Sequence, residues 1–149
     1  RDRFSLFASQ RTALRFLRSH LPDPEDCRRK SRSQHGAVVA LGKMGSAAQG
    51  ALPVLKLLAR EDSWSERMVA LRSIVQIGPE VRDIPMFLRA LKDEYRFCRV
   101  QGARGLGRLG RLASETIPQL KRAHSDNDES VRRAANEALS KIEIDAGRQ

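Results

Sequence analysis

Aromatic residues are scarce in this chain: one Trp, one Tyr and five Phe among 149 residues. A core must therefore be assembled from Ala, Leu, Ile and Val, small side chains that suit closely approaching helices. Long apolar runs are missing as well. No stretch reaches the roughly 18 apolar residues of a membrane span, which argues against a spanning helix. Cysteine is limited to Cys27 and Cys98, far apart and in no CxxC pattern. That argues against a disulfide scaffold and a zinc site, and predicts a reducing, cytoplasmic setting. Cys98 falls on a repeat position predicted to be half buried, where a thiol packs as a small hydrophobe. No nucleophile–base arrangement is visible, so neither enzyme activity nor a cofactor is expected. The GxGxxG match at Gly105–Gly110 lies inside a helical pattern rather than after a strand, which removes the dinucleotide reading. Its glycines stand where Ala and Ser stand elsewhere in the chain, and close helix packing explains them.

Charge is the one strong compositional bias. Lys and Arg number 28 against 18 Asp and Glu, a net charge of +10. Up to residue 35 there are nine basic and four acidic residues, so the excess is densest at the start. A chain this basic favours acidic partners: nucleic acid, anionic lipid or acidic protein segments. The chain opens on Arg1 rather than Met, which reads as a processed chain or a piece of a longer one. The Arg-rich opening has the composition of a transit peptide. It also has a structural reading. Phe4, Phe7, Leu14, Leu17 and Leu21 fall near one stripe of a helix over Phe4–His20, broken by Pro22-Asp23-Pro24. The link from Pro22 to Ser33 is then read as a mobile loop.

What the chain does contain is repetition. Leu41, Ile74, Leu106 and Leu139 step by 33, 32 and 33 residues, and Met44, Ile77, Leu109 and Ile142 step identically. A period of this length marks a stack of supersecondary units. Each unit holds two helical patterns. In the second unit, Val69, Ala70, Ile74 and Ile77 make one apolar stripe over Glu66–Ile77, with Arg67, Arg72 and Gln76 outside it. Gly78-Pro79 ends that helix, since Gly tolerates a left-handed cap and Pro cannot continue the ladder. A second helix follows near Val81–Lys92, with Ile84, Phe87, Leu88 and Leu91 inward. Its Pro85 has counterparts at Pro53 and Pro118, so three prolines in register mark three second-helix starts. In the last unit Val131, Ala135, Leu139 and Ile142 face inward, and Arg132, Arg133, Glu137 and Lys141 face water. The predicted organisation is residues 1–33 as a capping helix with a basic linker. A repeat array over 34–149 follows, with units 34–65, 66–97, 98–130 and 131–149.

Between units an acid recurs at Glu61, Asp93 and Asp126, and an Arg follows six places later at Arg67, Arg99 and Arg132. The predicted role is structural, an Arg–carboxylate pair stacked between units. Asp126–Ser130 is rich in N-cap residues ahead of the last helix.

The acidic turn, the Val-Arg-x-x-Ala-x-x-Ala-Leu run, the Gly and the early Pro carry a resemblance. They are cleanest in Asp126–Ile142 and Gly102–Gly110. The units resemble HEAT repeats of the short bacterial, PBS-lyase-type kind over about Gln34–Ile142. The resemblance implies an all-α fold, a right-handed α-solenoid of antiparallel helix pairs with second helices lining the concave side. It also implies a protein-binding scaffold. Deoxyhypusine hydroxylase resembles this array but holds iron on His-Glu pairs. Here His20, His35 and His124 are followed by Leu21, Gly36 and Ser125, so no metal site is carried over.

The candidate partner-binding residues follow from that placement. Lys56, Arg60, Arg89, Lys92, Lys121 and Arg122 form a basic ladder on the second helices, either a solvated face or an anion-binding groove. Trp64 and Tyr95 lie in successive inter-unit turns, as interface anchors or as packing. A first-helix set, Lys43, Arg72, Arg104, Arg108 and Lys141, reads as a solubilising convex face. The Arg28–Arg32 run reads as a docking cluster or a solvated linker. The expected function is a non-enzymatic protein–protein interaction scaffold using the concave face. The alternative is a nucleic-acid module that grips the phosphate backbone. The expected state is a monomer or part of a longer repeat chain.

Overall fold

A computed structural model describes residues 27–147 of the chain. The Phe4–His20 helix and the Pro22–Asp26 part of the linker lie outside the described residues. The described residues are helical throughout, joined by 3₁₀ segments and turns, with no strand among them. The order is α1 (Cys27–Lys43), α2 (Leu52–Leu58), α3 (Trp64–Ile77), α4 (Ile84–Ala90), α5 (Arg96–Leu109), α6 (Ile117–Ala123) and α7 (Glu129–Ala146). The chain divides into two compact units, one ending at Ile77 and one beginning at Gly78.

The three prolines fall where the register places them. Pro53, Pro85 and Pro118 stand in the first turns of α2, α4 and α6, where a missing N–H costs nothing. The second helices are shorter than the sequence suggests. Val81–Asp83 is a separate 3₁₀ turn, and regular α-helix covers only Ile84–Ala90. At the start of the 3₁₀ turn the N-cap Glu80 N–H donates to Asp83 Oδ2 at 2.9 Å. Gly45, Gly78 and Gly110 are the glycines with positive φ, at 57°, 127° and 56°. Only Gly adopts such angles readily, and each follows a long helix directly or by one residue.

In the N-terminal unit, α3 packs against α1 and α2. Leu55, Ala70 and Ile74 are fully buried there, with Val38, Leu52, Val69, Leu71 and Ile77 nearly so. Ser73 Oγ donates to the Val38 carbonyl at 2.9 Å across the α1–α3 contact. Two expectations need correction. The Arg28–Arg32 run is not in a linker but inside α1, because nothing after Pro24 breaks the ladder and Arg and Lys are good helix formers. Met44 does not share the burial of its register partners; it is 56 % exposed against 4 % for Ile77 and 8 % for Leu109. Ile77 and Leu109 are the last residues of α3 and α5, whereas α1 stops at Lys43 and leaves Met44 beyond its end.

In the C-terminal unit, α5 packs against α4 and α7, and α6 packs on α7. Phe87, Cys98, Ala103, Leu106, Leu120, Val131, Ala135 and Ile142 have no exposed surface. Cys98 is therefore fully buried rather than half buried. Leu139 is only half buried. The α5 glycines are positions of close approach. A Cβ on Gly102 would come within 2.8 Å of the Leu91 nitrogen and the Phe87 carbonyl. One on Gly105 would enter the Phe87 ring, and one on Gly107 would lie 2.9 Å from the Ala138 Cα. In the GxGxxG stretch, Gly105 and Gly107 are thus helix-packing positions, and Gly110 is the positive-φ residue that ends α5.

Candidate binding cleft

In each of the three turns an Arg guanidinium reaches back to two main-chain carbonyls. Arg67 Nη1 donates to the Glu61 and Asp62 carbonyls at 2.8 and 2.6 Å. Arg99 Nη1 donates to the Asp93 and Glu94 carbonyls at 3.0 and 2.9 Å. Arg132 Nη1 donates to the Asp126 and Asn127 carbonyls at 2.8 and 3.0 Å. The recurring spacing of acid and Arg, read as an Arg–carboxylate pair stacked between units, corresponds within each turn to an Arg–carbonyl contact. Arg132 is accordingly half buried and bonded rather than simply facing water.

The carboxylate contact runs from one turn to the next. Arg99 forks onto Asp126 with Nε–Oδ2 and Nη2–Oδ1 both at 2.9 Å. The two side chains are 18 and 16 % exposed, so the planar fork meets the carboxylate largely away from water. Burial alone would push the Asp126 carboxyl up. The Arg99 fork and the Asp128 N–H hold it below the ordinary carboxylate range instead. Asp128 N-caps α7, accepting from the Ser130 and Val131 N–H groups at 2.9 and 3.3 Å. It also accepts from Arg96 Nη1 at 3.0 Å. Burial would push this carboxyl up too, but Arg96 and the two N–H groups hold it low.

The second helices carry the opposite case. Arg89, Lys92, Lys121 and Arg122 are all exposed. None of the four makes an ion pair among the described residues. Lys92 and Arg122 are brought together at a cleft of about 260 Å³ between α4 and α6, lined also by Leu88, Leu91, Gln119, Ala123 and Asp126. Arg89 and Lys121 stand on the same helices without lining it. Lys56, half buried, and Arg60, exposed, belong to the N-terminal unit. That unit has a recess of only about 10 Å³ at His35, Val38 and Leu58, about room for one water.

Trp64 and Tyr95 are not equivalent. Trp64, 37 % exposed, is the first residue of α3 rather than a turn residue. Tyr95, 41 % exposed, is the N-cap residue of α5. Neither lines the cleft.

Sequence reasoning missed Gln119 and the cleft role of Leu88 and Leu91. Gln119 has its Oε1 buried without a hydrogen-bond partner. Leu88 and Leu91 read as inward and are half buried. The available signal was the width of the α4 stripe, which continues past the fully buried Phe87. Among the described residues no group of three or more His, Cys, Asp or Glu could hold a metal ion. No helix among them is long and apolar enough to cross a membrane. No protein-family model matches the chain, and no curated protein sequence matches it.

Proposed function

We propose that this chain is a HEAT-like repeat array, a right-handed solenoid of antiparallel helix pairs, serving as a non-enzymatic protein-interaction scaffold. In such an array the second helices line the concave side. Support for the repeat reading comes from recurrence at three levels: a Pro-started second helix, an Arg gripping the turn carbonyls, and a buried apolar stripe. A test of repeat coupling is Leu106→Asp, which places a charge at a fully buried position. Coupled units predict loss of helical circular dichroism over the whole chain. Survival of a cooperatively melting N-terminal half would overturn the coupling.

One observation carries the binding reading. Each turn arginine grips two carbonyls, and Arg99 a carboxylate as well, while Arg89, Lys92, Lys121 and Arg122 are exposed without an ion pair among the described residues, Lys92 and Arg122 beside an apolar cleft. Apolar surface favours a protein partner over a phosphate backbone, which needs charge alone. A buried Cys98 thiol is compatible with a cytoplasmic setting. The binding reading is tested with immobilised chain in nuclease-treated lysate. The expected result is capture that weakens with salt and is lost in the Arg89→Glu/Arg122→Glu variant. Capture unchanged by that variant would sink it. Tight binding of a labelled DNA duplex, falling steeply with salt, would establish the nucleic-acid alternative instead.

A further inference from the structure

The α4–α6 cleft combines three independent features. Its floor is apolar, formed by Leu88, Leu91 and Ala123. Its rim carries Lys92 and Arg122, both exposed and without an ion pair among the described residues. Its wall includes Gln119, whose buried Oε1 has no donor. Asp126 also lines the cleft, but its carboxylate is engaged by Arg99 and does not cancel the rim cations.

We propose that this cleft takes a short acidic segment of a partner protein in which one apolar side chain is flanked by carboxylates. The proposal rests on the protein-interaction reading and names the partner chemistry for one site. The apolar side chain covers the floor, and the carboxylates pair with Lys92 and Arg122. Gln119 Oε1 is closed off from the cleft as it stands, and a backbone N–H of the segment meets it once the amide turns into the cleft. An unmet buried acceptor is costly, so satisfying it favours a bound peptide over water at the rim. The cleft of about 260 Å³ is several times the ~30 Å³ share of one liquid water. It suits one large side chain with its backbone rather than a folded element. Single-stranded nucleic acid fits less well, because its bases stack on aromatic side chains and none lines this cleft.

The probe is a fluorescein-labelled Asp-Glu-Leu-Glu-Asp peptide with Gly/Ser flanks, titrated against the full chain by anisotropy. Replacing the peptide leucine by serine should weaken binding about tenfold or more, the loss of one buried leucine. The Lys92→Glu/Arg122→Glu variant should lose about tenfold or more, since both contacts turn repulsive. Arg104→Glu/Arg108→Glu changes charge equally on α5 and should leave binding within about twofold. Amide shifts in the bound state should concentrate at Leu88–Lys92 and Gln119–Asp126. Equal binding of the serine peptide overturns the proposal, as does undetectable binding by a chain that melts normally. A DNA duplex that outcompetes the peptide at these cations overturns it as well. If the Lys92→Glu/Arg122→Glu variant still captures the wild-type set of lysate proteins, the cleft assignment fails while the scaffold reading stands. If the wild-type chain shows no charge-dependent capture, the scaffold reading fails.

Discussion

Arg99 and Arg122 are the same residue type in the same unit, and their surroundings give them opposite roles. Arg99 enters the inter-helix turn, spends one nitrogen on two carbonyls and forks the other two onto Asp126. Arg122 stands on the exposed side of α6 beside an apolar cleft with no ion pair among the described residues. The difference teaches that positive charge alone says little about partners. The informative quantity is charge left over after the fold has met its own needs. The turns meet those needs by drawing Asp126 and Asp128 onto Arg99 and Arg96, while Arg89, Lys92, Lys121 and Arg122 make no ion pair among the described residues.

The strongest way to break this comparison is Arg99→Met set against Arg122→Met. The first removes the fork and both carbonyl contacts and leaves Asp126 mostly buried. It should destabilise the C-terminal unit by about 3 kcal/mol. The second should change stability by less than about 0.5 kcal/mol. Urea unfolding measures both, and equal losses would refute the division of roles. Gly105→Ala comes next, at about 1–3 kcal/mol, because the new methyl must displace the Phe87 ring from α5. It should also weaken binding of the acidic peptide, since Phe87 and the cleft residue Leu88 share α4 and the cleft residue Leu91 is its C-cap. Asp128→Ala removes the α7 N-cap and should cost about 1 kcal/mol. It should leave peptide binding unchanged, which separates turn chemistry from cleft chemistry.

The smallest effect is set by pH. Asp126 and Asp128 have folded-state pKa values held below the ordinary range. Groups of this sign contribute stability above their unfolded pKa, near 3.9 for Asp, and lose it as pH falls through the folded value. Melting temperature of the C-terminal unit should therefore fall on acidification below about pH 4. The fall should be shallower in Arg99→Met, where Asp126 has lost its fork. An equally steep fall in the variant would show that other carboxylates dominate.

Much of this was readable along the chain for a simple reason: its signals are local. Pro53, Pro85 and Pro118 announce helix starts because a missing N–H is tolerated only in a first turn. Gly45, Gly78 and Gly110 announce turns because their backbone angles exclude side chains. Leu106, Ile74 and Ile142 announce the core because an apolar stripe must be buried. Less was readable wherever two distant segments had to meet. The repeat placed the turn arginines against Glu61, Asp93 or Asp126 between units, and only the packing shows that Arg99 forks onto Asp126, one turn further on. Met44 kept its register but not its burial, since α1 ends one residue too soon.

The sequence by itself determined the helical period, the helix starts and the small residues at close approaches, because each depends on the geometry of a few neighbouring residues. Only the tertiary structure decided which cations are spent and which are spare. It also decided that Lys92 and Arg122 share a cleft and that Gln119 is left short of a donor. Those outcomes depend on how α4, α5, α6 and α7 pack, and a charge is neutralised by what lies beside it in space.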